Sequence, residues 1–240
     1  DADVDRTSAF DAPLTASDGS TPPFSQEPIV PILDPLKRVQ DLRRAAERRG
    51  AGRRESPEGR TPPGQVLTAK FPVLTYGPTP RVDLESWRLK VWGLVDAPME
   101  WDWAGIMALP QHSQTVDIHC VTRWSKLDTT WEGIPFTEIA SRVAPRPEAD
   151  HVMIHCYGGY TTNMRLDELL DEDVMLAHHY DGQPLEREHG GPMRLLVPKL
   201  YLWKSAKWLS GLEFIHGNRP GFWERYGYHM HGDPWTEERF

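Results

Sequence analysis

The chain has 240 residues, of which 39% are hydrophobic, and this is enough to bury a core of ordinary size. Its 27 Lys and Arg against 35 Asp and Glu give a formal charge of −8, which argues against nucleic acid as a partner of the whole molecule. No segment approaches the roughly 18 consecutive apolar residues of a membrane-spanning helix, so the sequence predicts a soluble chain.

The first quarter of the chain has a composition of its own. Residues 1–35 are rich in Asp, Ser, Thr and Pro without an apolar period, which is typical of an extended arm. The content of Leu36 to Arg54 suits a charged helix, and between Lys37 and Arg60 nine basic residues stand against four acidic ones. Such a segment is either a solvated tether or a contact for an acidic partner or a lipid surface. We therefore predict an irregular, partly helical arm over residues 1–64 and one compact domain over residues 65–240.

Short strands and short helices alternate in the predicted domain. Trp87, Leu89 and Val91 alternate with charged residues, as in a half-buried strand, and residues 115–121 and 151–157 are further strand candidates. Between these two, apolar residues at the spacing of one helical face predict a short amphipathic helix. They are Phe136, Ile139, Ala140 and Val143.

The second half of the predicted domain continues this pattern. A helical turn over residues 166–170 precedes a strand over residues 174–180, the turn dipeptide Asp181-Gly182, and a strand over residues 194–197. The strands and helices lack the regular spacing of repeated βαβ units. The sequence thus predicts an α+β fold of mixed sheets with short helices, and argues against a doubly wound sheet.

The two cysteines occupy similar positions in their strands. Cys120 and Cys156 each end a predicted strand in the tripeptide Ile-His-Cys. Two cysteines do not make a disulfide framework, although one bridge between them is possible. They could also be small buried hydrophobic residues, lie on one side of the fold, or bind zinc together with distant histidines.

Cys120 has the more reactive surroundings of the two. The residues after it leave the apolar pattern at once, and Arg123 and Lys126 follow closely. Nearby cations stabilise a thiolate, and a thiolate is the form that binds a metal. This favours Cys120 as a metal ligand.

Residues 189–194, with the sequence His-Gly-Gly-Pro-Met-Arg, suggest a site for an anion. Glycines let a backbone approach a ligand closely, and Arg194 at the mouth of a buried strand suits phosphate. Ser205, Ala206 and Lys207 could add a hydroxyl, backbone donors and a second cation. The alternative is a tight loop whose arginine pairs with a surface carboxylate.

Two histidine pairs could also bind a metal. His178 and His179 are adjacent, and His229 and His231 are separated by one residue. On a strand or in a loop, such imidazoles are more often exposed or hydrogen-bonded to the protein.

Several segments, in chain order, resemble the molybdopterin domain of the sulfite oxidase family, most closely its small bacterial members without further domains. The resemblance spans about residues 65 to 217. It rests on Phe71-Pro72-Val73-Leu74, the strand from Trp87 to Gly93, His119-Cys120-Val121 and the run from Leu166 to Trp208. Its most specific part combines Asp181-Gly182-Gln183-Pro184-Leu185, then His189 to Arg194, then Lys204 to Trp208.

The resemblance implies a molybdenum-molybdopterin cofactor and a set of residues that hold it. Cys120 falls at the molybdenum-ligating cysteine of the family, which makes it the catalytic residue. Positions that hold the pterin and its phosphate correspond to His189, Arg194, Ser205, Ala206 and Lys207. Cys156 matches a position beside the pterin, and Phe71, Leu74 and Thr75 correspond to a loop that lies against the cofactor.

One position departs from the pattern of sulfite oxidases. The loop that corresponds to Val73-Leu74-Thr75 contains, in those enzymes, an arginine that helps to hold sulfite, whereas this chain has Leu74. A pocket without that cation should bind sulfite poorly. We therefore expect oxygen-atom transfer or reduction on an S-oxide, an N-oxide or another small oxyanion.

The resemblance also suggests how the enzyme works with other molecules. The chain has no obvious haem domain and ends soon after Trp235, before a dimerisation domain would fit, so we expect a monomer that exchanges electrons with a separate redox protein. We expect it in the cytoplasm, or in the periplasm if an export signal has been removed. Two rival hypotheses are a zinc-binding protein that uses Cys120, Cys156 and histidines, and a non-catalytic module that binds through the basic arm.

Overall fold

The computed structural model describes residues 59–240. The helix predicted over residues 36–54 and nearly all of the predicted arm lie outside the described residues. The described strands are β1 (Val66–Leu67), β2 (Arg88–Gly93), β3 (Met99–Asp102), β4 (His112–Cys120), β5 (Trp124–Pro135), β6 (His151–Cys156), β7 (Thr161–Arg165), β8 (Met175–Tyr180), β9 (Gln183–Pro184), β10 (Arg194–Leu196) and β11 (Leu209–Ile215). The helices are α1 (Trp103–Met107), α2 (Phe136–Val143), α3 (Leu166–Leu169) and α4 (Phe222–Arg225), with a 3-10 turn at Arg187–His189.

The first sheet is built around β5, the longest described strand. β5 pairs antiparallel with β4 and with β8, and parallel with the short β1. β8 in turn pairs with β10 and β9. This arrangement places the end of β4 and the start of β10, where the candidate site residues lie, in one sheet.

The second sheet has the strand order β3-β2-β11-β6-β7. β2 runs parallel to β11, and the remaining neighbours are antiparallel. Mixed sheets with short helices confirm the α+β prediction. No helix within residues 59–240 is both long and apolar enough to span a bilayer.

Helix α2 shows why the sequence folds as it does. Phe136, Ile139, Ala140 and Val143 are all buried, as their spacing on one helical face predicts. Pro135 stands at the N-cap, and the helix ends at Ala144, whose backbone is left-handed with a φ of 50°. The outer face carries an i,i+4 ion pair of 2.7 Å.

The predicted elements are largely present, but six of the eleven described strands were not predicted, among them the longer strands β5, β7 and β11. The strands near Trp87, before Cys120 and Cys156, and near Tyr180 are confirmed, as are the turn of helix at Leu166 and the hairpin turn at Asp181-Gly182. β5, β7 and β11 carry polar residues or glycine among their apolar ones, which hides the period of two. Their pairing partners stabilise them instead.

The two Ile-His-Cys strands lie in different sheets. β4 belongs to the first sheet and β6 to the second, and the two cysteines pack in separate apolar clusters. The possibility that the two cysteines lie on one side of a single sheet is therefore not realised. No disulfide joins them.

Candidate functional site

Cys120 is the last residue of β4, and a tight turn follows it. The backbone N–H of Arg123 donates to the carbonyl of Cys120 at 3.0 Å, and Arg123 has a φ of 66°, so the chain reverses directly into β5. The thiol is buried at 5% exposure and lies 3.2 Å from the hydroxyl of Thr122. The ammonium of Lys126 donates to the carbonyl of Ala69. The fold thus holds the Cys120 sulfur at a fixed strand end.

His119, the neighbour of Cys120, is buried and polar. Its Nδ1 lies 2.8 Å from the hydroxyl of Ser125, the residue opposite it on β5. Burial lowers the pKa of His119 to about 4, so its imidazole is neutral near neutral pH. The sequence motif contained His119, but only the pairing of β4 with β5 shows that Ser125 orients its ring.

Arg194, the first residue of β10, is a buried cation without a carboxylate partner among residues 59–240. It is 3% exposed, and its guanidinium donates to the carbonyls of His189 at 2.7 Å and Ser205 at 2.6 Å. Its charge lies 5.6 Å from the ring centre of Trp131. Burial lowers the pKa of Arg194 to about 10. Uncompensated buried charge is costly, so an arginine in this state suits an anionic ligand.

Lys207 is a second such cation. Its ammonium donates to the carbonyls of Leu74 and Glu188 at 3.0 and 2.9 Å and to the hydroxyl of Thr75 at 2.7 Å. Burial, followed by the nearby charge of Arg194, lowers the pKa of Lys207 to about 7. Two neighbouring cations repel each other, and a phosphate that accepts hydrogen bonds from both would relieve this repulsion and bind strongly.

The other lysines of the same segment differ in this respect. Lys204 is fully buried in an ion pair with Glu224 at 2.7 Å, and Lys199 pairs with Asp171. Their charges are compensated within the protein. Of the cations in this segment, Arg194 and Lys207 are therefore the candidates for binding an anion.

The loop from Phe71 to Thr75 lies against Lys207 and His189. Phe71 stacks on the imidazole of His189 with ring centres 4.1 Å apart, and the Nε2 of His189 donates to the Phe71 carbonyl at 3.1 Å. Phe71 and Leu74 also pack against the apolar cluster that contains Cys120 and Trp131. The structure thus brings the loop, His189, Arg194 and Lys207 together, and Trp131 and Phe71 link them to the cluster of Cys120.

The glycines beside His189 serve close packing within the protein. A Cβ on Gly190, whose φ is 111°, would lie 2.9 Å from the Cβ of Lys207, and one on Gly191 would lie 2.1 Å from the carbonyl oxygen of Leu185. The sequence suggested that these glycines let the backbone approach a ligand. Their described neighbours show that they let it approach Lys207 and Leu185, and this brings His189 close to Lys207.

Ser205 and Ala206 use their polar groups within the fold. The hydroxyl of Ser205 accepts a 2.9 Å hydrogen bond from the backbone N–H of Val197, and the N–H of Ala206 donates to the carbonyl of Lys204. Their carbonyls receive the guanidinium of Arg194 and the N–H of Leu195. They shape the cationic site, and direct contact with a ligand stays a prediction.

Cys156 lies on the other sheet but near Arg194. It is 7% exposed, and burial raises the pKa of its thiol despite the opposing effect of the arginine. Within residues 59–240, the one close group of three metal-ligating side chains contains no cysteine. The described geometry does not assemble the zinc site that Cys120 and Cys156 would need.

A phosphorylated cofactor that takes a sulfur ligand fits these residues. Arg194 and Lys207 supply two cations without a bound counter-charge among the described residues, and Cys120 supplies the sulfur. The sequence pointed to all three. It did not point to Trp131, because nothing in the sequence shows that β5 places this ring against both Arg194 and Phe71.

Comparison with known proteins agrees with this chemistry. The family model described as the oxidoreductase molybdopterin binding domain matches residues 76–223. The uncharacterised oxidoreductase YuiH of Bacillus subtilis is 47% identical over 80% of this chain and 97% of its own length. The protein-methionine-sulfoxide reductase catalytic subunit MsrP of Ralstonia nicotianae is 28% identical over 62% of this chain, which spans 51% of that relative.

A solved structure shows a similar fold. The sulfane dehydrogenase SoxCD of Paracoccus pantotrophus aligns with a TM-score of 0.54 at 20% identity, over 59% of this chain and 41% of its own. The family match covers more than half of the chain, and YuiH matches over nearly its full length. The chain therefore belongs to the sulfite oxidase-like family of oxidoreductases with a molybdopterin-binding domain, and it is an enzyme.

Proposed function

We propose that this enzyme is a molybdenum-dependent oxidoreductase that transfers an oxygen atom to or from a small substrate, with Cys120 as the protein's ligand to the metal. The proposal rests on two cations, the buried Arg194 and the half-buried Lys207, which have no carboxylate partner among the described residues. When bound, the molybdenum cofactor supplies the two-electron redox change and the transfer of oxygen.

The residues of the chain have distinct roles in this proposal. Arg194 and Lys207 neutralise the phosphate of the pterin, while the Phe71–His189 stack fixes the loop that covers it. Cys120 holds the metal from the end of β4, where the turn into β5 fixes its position. Ser205 and Ala206 act by shaping the backbone around Arg194, and Cys156 lines the side of the second sheet.

An S-oxide is the substrate class that we favour. At the position of Leu74, sulfite oxidases have a cation. Here the Leu74 side chain packs against the apolar cluster that contains Cys120, and its backbone carbonyl accepts a hydrogen bond from Lys207. An uncharged S-oxide does not require that cation. The relatives named as methionine-sulfoxide reductases support the same class.

Two features of its environment also belong to the proposal. Electrons reach the enzyme from a separate redox protein, in keeping with the relatives that are named as subunits. The enzyme itself is a monomer without haem of its own. Its compartment stays a prediction.

Metal and pterin analysis of the purified protein tests the proposal. We expect one molybdenum and one pterin per chain, and reduction of a small sulfoxide by an artificial electron donor. Zinc that disappears in Cys120→Ala, with neither molybdenum nor pterin in the wild type, would support the rival zinc protein instead.

The variant Leu74→Arg tests the substrate preference. Introducing a cation that can donate to an oxyanion should lower the KM for sulfite at least about tenfold, since such a hydrogen bond contributes roughly 1.5 to 3 kcal/mol. Val73→Arg is the matched control, because Val73 is exposed and its replacement places the charge in solvent. Equal sulfite kinetics in both variants would count against the assignment of Leu74.

A further inference from the structure

A second group of ligating side chains lies on the first sheet. Glu132 on β5 and His178 and His179 on β8 each offer a ligand atom, and the three atoms lie within 4.8 Å of one another. Within the part of the chain that the structure describes, no other three His, Cys, Asp or Glu residues meet this closely. None of the three takes part in the proposed cofactor site.

A β-bulge brings the two histidines to the same side of the strand. Consecutive strand residues normally point to opposite faces, so adjacent histidines cannot bind one ion. Here Glu132 pairs with His179 and Gly133 pairs with Ala177, which leaves His178 as the extra residue of β8. A bulge redirects a side chain in this way. As a result the Nδ1 atoms of His178 and His179 lie 2.5 Å apart.

The hydrogen bond on the far side of the His178 ring determines which of its nitrogens is available. Its Nε2 lies 2.7 Å from the side-chain oxygen of Gln111, which can only accept, so Nε2 carries the proton. The Nδ1 then has its lone pair directed at His179 and Glu132. A metal-binding histidine whose second nitrogen donates to a neighbouring oxygen is the usual arrangement in metal sites.

The group is separate from the proposed cofactor site. Trp131, the neighbour of Glu132 on β5, lies against Arg194 and Phe71. Side chains alternate along a strand, so Glu132 points to the opposite face of the sheet. His178 meets the edge of the Trp103 ring there, with ring centres 6.5 Å apart.

We propose that Glu132, His178 and His179 bind a divalent transition-metal ion, for which zinc is the best match, with water as the fourth ligand. Two histidines and one carboxylate are a common three-ligand set for zinc. Zinc ligands lie about 2.0 to 2.2 Å from the ion, so no two can be more than about 4.4 Å apart. Rotation of the Glu132 side chain and a small opening of the two rings bring all three atoms into this range.

Titration of the untagged, cofactor-loaded protein with zinc sulfate tests the site. Calorimetry should show one saturable site per chain. His179→Ala and Glu132→Gln should each weaken zinc binding at least tenfold, and Gln111→Ala should weaken it about 10- to 100-fold through the loss of the second hydrogen bond. These variants should keep their molybdenum and pterin content, which shows that they fold. His216→Ala, which changes an exposed histidine elsewhere, is the matched control and should bind zinc like the wild type.

Cobalt(II) gives an independent readout of the same site. Tetrahedral cobalt with nitrogen and oxygen ligands should show visible absorption in the wild type and in His216→Ala but not in His179→Ala. Absence of saturable zinc binding in the wild type, or equal binding in His179→Ala and Glu132→Gln, would overturn the proposal. In that case the two histidines only form a hydrogen bond with each other. Loss of zinc in Cys120→Ala would assign the metal to the other site.

Discussion

Lys207 illustrates how the surroundings of a single residue indicate the kind of ligand that it binds. Its side chain is largely buried, its acceptors are two carbonyls and a hydroxyl, and its pKa is lowered to about 7. Arg194, which lies nearby, likewise donates its hydrogen bonds to backbone carbonyls and has no carboxylate partner among the described residues. Lys199 and Lys204 each form an ion pair with a carboxylate, whereas Arg194 and Lys207 form none within residues 59–240. The charges of Arg194 and Lys207 are therefore suited to bind an anion.

The titration of Lys207 predicts a pH dependence of cofactor binding. In the cofactor-free protein the ammonium form is lost as the pH rises through about 7, so affinity for molybdopterin should fall above this value. Lys207→Met should bind more weakly below it and should show a flatter dependence. Pterin fluorescence in binding experiments across this pH range measures both. Parallel curves for the two proteins would contradict the role of Lys207.

The same shift has a consequence for folding with a definite sign. The folded-state pKa of Lys207 lies below the unfolded value of 10.5, so between the two the unfolded chain binds more protons. The contribution of this residue to the stability of the cofactor-free protein therefore increases as the pH rises from about 7 toward the unfolded pKa. Lys207→Met should remove that contribution from the measured free energy of unfolding.

Part of the candidate site could be predicted from the sequence. Cys120, Arg194 and Lys207 could be chosen from a strand end and from the spacing of glycine and cations. The sequence could not show that Glu224 neutralises the charge of Lys204, because this ion pair forms between residues far apart in the chain and exists only in the folded protein. The same holds for Trp131, whose importance comes from its contacts with Arg194 and Phe71.

At the scale of elements, the sequence predicts what local patterns specify. α2 and the hairpin at Asp181-Gly182 follow from helical spacing and turn chemistry. β5 could not be recognised, since its mixture of Trp, Thr, Asp and Gly has no clean alternation and its pairing on both edges stabilises it. The bulge at His178 is likewise a property of pairing between strands, and no local signal announces it.

Gly190 is a residue whose replacement by alanine should cost more stability than its backbone conformation alone predicts. Gly190→Ala would place a methyl group against Lys207 in a backbone with a φ of 111°. Gly182→Ala is the control, because its φ of 73° is also positive but nothing lies within 4 Å of the added atom. An alanine in left-handed backbone costs roughly 1 to 2 kcal/mol, so Gly182→Ala should lose about that much stability and Gly190→Ala more. Denaturant unfolding measures the difference, and equal losses would show that the contact with Lys207 relaxes freely.

At the scale of the whole molecule, the candidate residues that lie in strands are mostly on the first sheet. The first sheet carries Cys120, Arg194 and the histidine group, and both sheets contribute residues to the larger apolar core. Only the last two residues of the basic segment between Lys37 and Arg60 belong to the described part of the chain. Arg60, at its end, binds Asp117 and Asp128 at 2.7 and 2.6 Å and ties the chain to β4 and the start of β5.

Removal of the residues before Gly59 separates the enzyme from the rival binding module. The truncated chain keeps Arg60 and β1, so we expect it to retain its molybdenum, its pterin and its turnover with a sulfoxide. A module that works through the basic segment would instead lose its partner and show no turnover in either form. Loss of the cofactor on truncation, with the circular dichroism unchanged, would place part of the cofactor site in the removed residues.

X-ray absorption at the molybdenum edge measures most directly whether the sulfur of Cys120 binds the metal. We predict that the metal in Cys120→Ala has one sulfur neighbour fewer than in the wild type, while Cys156→Ala is unchanged. The same number of sulfur neighbours in the wild type and in Cys120→Ala would contradict it.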